Sequence, residues 1–585
     1  MIQRLKRGYT KANLIYYDIE TITVNDELKF RLGVVTAEGL SFVAYDAEIM
    51  TDIIISLCDK NKSNYIIAHN AQFDFSLLIH DKFDCCEMKA FSTQPFLIHY
   101  RLKDKHRNVT NFVFLDSMSF FKSSLDELGK VFGEEKQIID VLRDRFDTEI
   151  AYYCVQDTKV LGKIMEFINE QAIKFDIRFP ITFAQMSFNI FKRHYLKKKI
   201  VNPIIEEIMQ LERESYFGGR VEAFNFEIHE KSKCFDINSL YPFVMEHNYF
   251  PVKIKKFFTQ EVCLQHQTKI YDFVMKAIKN NKLIIAKVIV DIPECYIGPI
   301  PKRIDEKLIF PFGTFETVLC NPELELVKDN IIQVLEVSVY EKKRIFANFI
   351  TDMYTSRLRY DSKHPLNLFY KLVMNSLYGK FAQRKFVFER KTMFDDILEF
   401  GKTDLRYEDS FINLDFFNGK AFHREIKDIN PKSFVAISSF VTSYARRYLY
   451  EFLIKNQDNL IYCDTDSMFV NNVPVLVMND KLGGWKEEYE LTEFQVLGNK
   501  HYQSNEMRKI KGVPHFARVL DNYTFEFQKI TKMRESIVRF GTPQPRLVMM
   551  KKIYNDEYTK RIVLPDLTTK ALSIIEIHPS LISSF

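Results

Sequence analysis

The stretch Tyr462-Cys463-Asp464-Thr465-Asp466-Ser467 carries two carboxylates one residue apart inside an apolar run, Leu460-Ile461 before and Met468-Phe469-Val470 after. The flanks read as two short strands joined by a tight turn. Acids in such a turn cost stability unless a cation or hydrogen-bond donors balance them. Aspartates converging on a hard divalent cation are what metal-assisted phosphoryl transfer requires. Asp and Ser are also ordinary turn residues, because they bond their own backbone. A metal reading therefore needs a partner carboxylate elsewhere in the chain.

Composition bounds the possibilities. At 585 residues the chain is too long for one core. With 46% hydrophobic and 27% charged residues it is a folded chain, not a disordered one. Phe and Tyr are abundant (53 and 29), material for a core and for base stacking alike. A net charge of +5 permits a basic groove without demanding one. Basic runs occur at Lys192-Arg193 through Lys197-Lys198-Lys199, at Lys342-Lys343-Arg344 and from Arg508 to Lys511; each alone also suits a solvated face. The nine cysteines are scattered with no C-x-x-C pair, against both a zinc knuckle and a disulfide framework. No run of about 18 apolar residues predicts a membrane span, and the basic N-terminus lacks the apolar segment of a signal peptide.

Leu14 to Thr21 is a predicted strand that delivers Asp18 and Glu20 to one face. Like charges so placed repel, and a metal is one remedy; two solvent-facing acids is the other reading. A second strand, Tyr65-Ile66-Ile67-Ala68, runs into His69-Asn70-Ala71-Gln72-Phe73-Asp74 and then a helix-like apolar run, placing Asp74 near a strand-to-helix junction. In Tyr152-Tyr153-Cys154-Val155-Gln156-Asp157, Tyr153 and Asp157 share a helix face, which is equally common on ordinary surface.

Phe235-Asp236-Ile237-Asn238 ends a strand in an acid, and Ser239-Leu240-Tyr241-Pro242 enters a helix whose backbone N–H groups suit phosphates. An N-capping Asp is the bland alternative. Pro365 to Gly379 reads as a helix with Phe369, Leu372, Val373 and Leu377 on one face and Lys371, Asn375 and Tyr378 on another. A cation, an amide and an aromatic in one stripe suit a nucleoside triphosphate; a solvated amphipathic helix fits as well.

Taken in order, these elements resemble family B DNA polymerases. Asp18, Glu20, Asp74, Tyr153 and Asp157 are similar to the three exonuclease motifs. Asp236-x-x-Ser-Leu-Tyr-Pro, Lys371-x-x-x-Asn-Ser-x-Tyr-Gly and Tyr462-x-Asp-Thr-Asp-Ser resemble motifs A, B and C. Tyr216-Phe217-Gly218-Gly219 resembles the Y-x-G-G element, and Lys500-His501-Tyr502 the K-x-Y element. An early first acid, two long spans between motifs and Lys481-Leu482-Gly483-Gly484-Trp485 bring the chain close to the protein-primed subgroup of bacteriophages and linear plasmids.

The resemblance implies an α/β and α+β multidomain fold: an RNase H-like 3′–5′ exonuclease domain (1–176), then a right-hand polymerase. Palm would fill 177–248 and 431–523, fingers 346–383 and thumb 524–585, with terminal-protein regions one and two at 249–345 and 384–430. It implies catalytic roles for Asp236, Asp464, Asp466, Asp18, Glu20, Asp74, Tyr153 and Asp157. Nucleotide would meet Tyr241, Lys371, Asn375 and Tyr378. DNA would meet Thr21, Asn70, Phe73, Ser124, Leu125, Tyr216, Gly218, Gly219, Gly379, Lys500 and Tyr502, with His69 beside them. Two Mg²⁺ per site, replaceable by Mn²⁺, would be held by Asp236, the Ile237 carbonyl and Asp466, and by Asp18, Glu20 and Asp157. Asp464 would be a weaker or indirect ligand.

The implied partners are primer-template DNA, dNTPs, a terminal (priming) protein and a single-stranded-DNA-binding protein. The setting is the host cytoplasm, with a monomer of viral or plasmid origin and no membrane. A family B enzyme extending nucleic-acid primers, a 3′–5′ exonuclease with an inactive palm, and a noncatalytic nucleic-acid binder are the competing readings.

Overall fold

Strand β1 (Ala12–Val24) sends alternate residues to opposite faces, and each face meets its own core. Leu14 and Tyr16 join one hydrophobic cluster; Ile15, Tyr17 and Ile19 join another. The computed structural model describes residues 1–585 except 26, 79, 84, 94, 104, 135–145, 391–400, 408–409, 418–419, 428, 473, 477, 532–534, 537–538, 540–544, 555–556 and 575–585. The other strands of the first sheet are β2 (Glu27–Ala37), β3 (Leu40–Ala44), β4 (Ser63–Ala68), β5 (Cys86–Thr93), β6 (Phe96–Lys103) and β7 (Val109–Asp116). Their order is β3-β2-β1-β4-β7-β6-β5, with β4 parallel to both β1 and β7. Helices α1 (Ala47–Ser56) and α2 (Ala71–Ser76) pack residues into one of the two cores; α3 (Leu125–Phe132) and α4 (Asp147–Lys174) pack into the other. Glycine lets α4 approach β1: a Cβ at Gly162 would lie 3.2 Å from the Tyr16 ring.

Helices α5 (Phe183–Ile190) and α6 (Glu206–Glu214) lead to β8 (Val221–Ala223), β9 (His229–Ile237) and α7 (Leu240–His247). A separate sheet follows, made of β10 (Phe250–Phe258), β11 (Leu283–Ile292), β14 (Gly313–Cys320) and β15 (Ile331–Lys343) in the order β10-β15-β11-β14. The small hairpin of β12 (Lys302–Ile304) and β13 (Lys307–Ile309) stands apart. Helices α8 (Gln260–Gln265), α9 (Gln267–Lys279) and α10 (Asn321–Leu324) accompany it, α9 burying Ile270, Val274, Ala277 and Ile278 at helical spacing. Next come α11 (Ala347–Arg357) and α12 (Pro365–Ser376). The helix expected to reach Gly379 stops at Ser376, and Tyr378–Ala382 tightens into a 3₁₀ turn.

Among its described residues, the polar stretch 384–431, irregular as sequence, contains four antiparallel strands: β16 (Lys385–Arg390), β17 (Gly401–Tyr407), β18 (Ser410–Phe417) and β19 (Lys420–Lys427), ordered β16-β19-β18-β17. Helix α13 (Val435–Lys455) then precedes β20 (Leu460–Asp464), β21 (Ser467–Val470), β22 (Trp485–Gly498), β23 (His501–Gln503) and β24 (Arg508–Ile510). These complete an antiparallel seven-stranded sheet, β24-β23-β22-β9-β21-β20-β8. The C-terminal strands are β25 (Arg518–Val519), β26 (Thr524–Ile530), β27 (Leu547–Ile553), β28 (Arg561–Val563) and β29 (Thr569–Ala571). This last part of the chain returns to the edge strand β8: the Thr569 N–H donates to the Phe224 carbonyl at 2.9 Å, and the Ala223 N–H to the Tyr558 hydroxyl at 2.8 Å.

Candidate active site

Strands β20 and β21 form the expected hairpin, with Asp464 opposite Ser467. Thr465 turns the chain at φ +64°, and the Asp466 N–H donates to the Asp464 carbonyl at 2.7 Å. Ser467 pairs with Asp236 on β9, and the Ile237 N–H donates to the Asp466 carbonyl at 2.8 Å. Asp236, on β9, and Asp466, in the turn that enters the adjoining β21, therefore come together from sequence positions far apart. Burial, then repulsion from Asp466 and Glu488, pushes the Asp236 carboxyl up to about 7. Burial, then the Asp464 charge, pushes Asp466 up to about 6. Lys371, exposed on α12, opposes both shifts. Two partly desolvated carboxylates, each pushed up by burial and by a neighbouring acid, are a donor set suited to a hard divalent cation.

Asp464 is engaged differently. Its Oδ1 accepts from the Lys500 ammonium at 2.8 Å and from the Thr465 hydroxyl at 3.0 Å. The Lys500 N–H also donates to the Tyr462 hydroxyl at 2.9 Å. Tyr462 and Asp464 share a strand face, so one residue meets both. Tyr502 is buried against Tyr462, Phe469 and Phe494.

Tyr241, at the start of α7, stacks on Tyr378 with ring centroids 4.7 Å apart and planes 29° from parallel. Burial raises both phenols above the ordinary tyrosine range, and Asp466 is among the charges that add to it. Asn375 is half-buried and Gly379 exposed beside this stack.

The segment Tyr216–Gly219 bears directly on the turn. A Cβ at Gly219 would fall 2.8 Å from Cγ2 of Thr465, and the Thr465 N–H donates to the Arg220 carbonyl at 2.7 Å. Arg446 of α13 donates to the carbonyls of Phe217 and Gly218 at 2.7 and 2.8 Å while buried in a two-pronged pair with Glu323. The Gly483–Gly484 loop clasps Asn238: Gly483 N–H to the Asn238 carbonyl and Asn238 N–H to the Gly484 carbonyl, both 2.8 Å. Sequence inspection missed Lys486 and Glu488 on β22. Lys486 lies opposite Asp236, Glu488 sits in a register shift of the strand, and the two pair with each other while acting on the Asp236 charge with opposite sign. It also missed Arg357, which donates to the Ser239 hydroxyl at 3.3 Å.

The second cluster lies on the first sheet. Asp18 and Glu20 continue the Leu14–Tyr16 face toward α4, where Asp157 is buried. One ligand atom from each of Asp18, Glu20 and Asp157 falls within 4.8 Å of the others. This carboxylate trio fits a divalent cation. Asp74 contributes no atom to that trio. Buried on α2, it accepts from the Ile19 N–H at 3.0 Å, and burial with the neighbouring Asp18 holds its carboxyl well above the usual range. Cys154, also missed, donates to Oδ2 of Asp18 at 3.1 Å. Tyr153 is half-buried one turn before Asp157.

Thr21 follows a register shift in β1 after Glu20. Asn70 sits at φ +63°, its N–H donating to Asp116 at 3.0 Å, and His69 shares a 2.8 Å hydrogen bond with Ser117. Phe73 is half-buried, Ser124 caps α3 in a reciprocal pair with Glu127, and Leu125 is buried in the core.

A family model described as DNA polymerase type B, organellar and viral, matches residues 134–459, more than half of the chain. The chain belongs to this family. Among curated relatives of this type B chain, a probable DNA polymerase of Neurospora intermedia is 26% identical over 373 residues, covering 60% of this chain and 37% of the relative. The DNA-directed DNA polymerase of Enterobacteria phage PRD1 is 25% identical over 457 residues, 75% of this chain and 72% of that one. The chain spans about a third of the length of the fungal relatives it matches, 37%, 35% and 31%. The solved structure of Phi29 DNA polymerase complexed with primer-template DNA and incoming nucleotide substrates superposes with a TM-score of 0.68. It has 17% identity and covers 93% of this chain and 100% of that one. The expected fold, exonuclease plus right-hand polymerase, is thereby the observed one. Among the described residues, no helix is long and apolar enough to cross a membrane.

Proposed function

We propose that this chain is a template-directed DNA polymerase with a 3′–5′ proofreading exonuclease. The observation that carries it is the pairing of β9 with β21, which sets Asp236 and Asp466 side by side under the charge of Lys371. Mg²⁺, with Mn²⁺ as a substitute, would be held by Asp236, the Ile237 carbonyl and Asp466, and by Asp18, Glu20 and Asp157; when bound it supplies activation of the attacking oxygen and neutralisation of phosphate charge. Lys371 meets the triphosphate of the incoming dNTP. Tyr241 lies beneath its sugar and excludes a 2′-hydroxyl, Tyr378, stacked on it, and Asn375 contact the nascent pair, and Gly379 lets the template strand approach. Lys500 and Tyr502 support the primer end, Lys500 also holding Asp464 in place. Tyr216, Gly218 and Gly219 guide DNA past the turn.

In the first sheet, Tyr153 orients the attacking water, Asp74 fixes β1 through the Ile19 amide, and Thr21, Asn70, Phe73, Ser124, Leu125 and His69 border the frayed strand. The domain limits proposed are those of the sequence reading, 1–176 exonuclease and 524–585 thumb among them. The sheets within 249–345 and 384–430 serve as the two terminal-protein regions, and replication begins on a priming protein's hydroxyl in the host cytoplasm.

Extension of primed DNA tests the reading. Asp466→Ala should abolish extension while 3′–5′ degradation persists, and Asp18→Ala with Asp157→Ala should do the reverse. Extension by the Asp466 variant would overturn the palm assignment. Transfer of labelled dNMP to a candidate priming protein tests the mode of initiation; extension from nucleic-acid primers alone would overturn that part.

A further inference from the structure

Two basic runs far apart in sequence, Lys197-Lys198-Lys199 and Lys343-Arg344, converge on one open cavity of about 370 Å³. The fold brings them together by main-chain pairing. The Val201 N–H donates to the Val252 carbonyl at 2.9 Å, and β10 pairs with β15 so that Phe250 faces Lys343. Five of the lining residues are cations and none is an acid, Lys343 being paired with Glu341 at 3.3 Å just outside the lining, while Leu196, Ile200, Val252 and Ile345 give the cavity an apolar floor. Lys197, Lys198 and Lys199 are exposed, and among the described residues none has a carboxylate within ion-pair distance. The Arg344 guanidinium is aimed by its hydrogen bond to the Glu246 carbonyl at 2.7 Å. Asn348, in the first turn of α11, lines the cavity, and the helix ends at Arg357 on the Ser239 hydroxyl. At ~1.5 Å per residue the cavity lies about 14 Å along that helix from the motif containing Asp236.

We propose that this cavity binds a single strand of nucleic acid at a site separate from the Asp236–Asp466 and Asp18–Asp157 centres. One nucleotide is seated on the apolar floor, with flanking phosphates on Lys197–Lys199 and on Lys343–Arg344. Cations along a groove with an aromatic ring beside them are how non-sequence-specific strands are held, by backbone charge and base faces together, and Tyr195 in the lining supplies the ring. An acidic peptide would match the rims but leave the floor uncovered. The inference rests on the chain being a nucleic-acid enzyme, but its test needs no catalysis.

Binding of a fluorescein-labelled oligo-dT to the full chain is measured by anisotropy in EDTA across a salt series, for the parent and for Lys197→Glu/Lys199→Glu/Lys343→Glu. The expected result is at least a tenfold weaker affinity at low salt and a salt slope shallower by about 2, since each lost phosphate contact removes ~0.7. A 5-iodo-dU oligonucleotide should photocrosslink within 195–200 or 343–348 in the parent and lose that crosslink in Lys198→Gln. Matching melting temperatures exclude misfolding, the substituted lysines being exposed. Equal affinities and slopes, crosslinks confined to other segments, or displacement of oligo-dT by polyglutamate at equal charge would each overturn the proposal. Absence of primer extension by the parent chain, with oligo-dT binding as expected, would count against the polymerase reading alone.

Discussion

The ammonium of Lys500 lies 2.8 Å from Oδ1 of Asp464. This ion pair occupies one oxygen of the first acid in the Asp464–Asp466 turn, whereas Asp466 is coupled to Asp236 through burial and repulsion. The two acids of one turn are thus held differently, although as sequence they look equivalent: Asp464 accepts directly from Lys500, while Asp466 feels Lys500 only as a charge at a distance and carries the repulsion of Asp464.

Asp464 and Asp466 should separate in kinetics. Asp464→Asn is expected to slow single-nucleotide incorporation by ~10–100-fold, the usual cost of losing a group that positions a ligand shell. Asp466→Asn should cost more, by at least a further factor of ten. Lys500→Ala should resemble Asp464→Asn. Rapid-quench measurement decides it, and equal losses at both acids would sink the division of roles.

Gly219 and Thr465 should behave as one unit. Gly219→Ala places a methyl against the Thr465 side chain, and overpacking of that kind costs roughly 1–3 kcal/mol. Extension should fall at least tenfold. Thr465→Gly removes the opposing atoms and suits φ +64°, so the double variant should recover part of the loss. A double-mutant cycle with no coupling would refute the contact.

Glu222 joins two buried arginines. The Arg220 Nε donates to it at 2.6 Å, and Arg561 pairs with it at 3.5 Å, with all three side chains buried. Glu222→Ala would leave two buried cations without their shared anion, at a cost of about 3–5 kcal/mol. Urea unfolding should register this, and a loss below about 1 kcal/mol would contradict the burial.

Stability should fall with rising pH because of Glu212. Burial pushes its carboxyl up to about 8, while the Tyr340 hydroxyl, the Ala436 N–H and Arg213 pull the other way. The folded chain then binds more protons than the unfolded one between about pH 5 and 8. Unfolding free energy declines as pH rises across that window, by ~1.4 kcal/mol per pH unit at most. The stabilisation is complete at the acid end. Glu212→Gln keeps the hydrogen-bonding shape without the charge and should flatten the slope. An unchanged slope in that variant would assign the effect to another group.

Much of the site was legible because its carboxylates lie in short motifs with their own local grammar. Alternation in β1 placed Asp18 and Glu20 on one face, and helical spacing placed Tyr153 with Asp157. The pairing of Lys500 with Asp464, and of Lys486 opposite Asp236, was not legible, because strand register across a sheet is set by tertiary packing. The end of α12 was overrun by three residues, since Tyr378 and Gly379 continue the helical pattern while the backbone tightens. The strands in 384–431 escaped because their pattern carried no clear period. Glu212, Glu222 and Arg561 carry no motif, and only burial shows what they do.

The return of the chain to β8 sets a clock on synthesis. The amide of Ala223 finds its hydroxyl on Tyr558, 335 residues later. At ~5–20 residues per second, a ribosome needs roughly 20–70 seconds to supply that partner. Until then the Ala223 amide on the strand beside β20 lacks its partner, although a nascent chain already bears every motif acid and the pairing of β20 with β8 and β21.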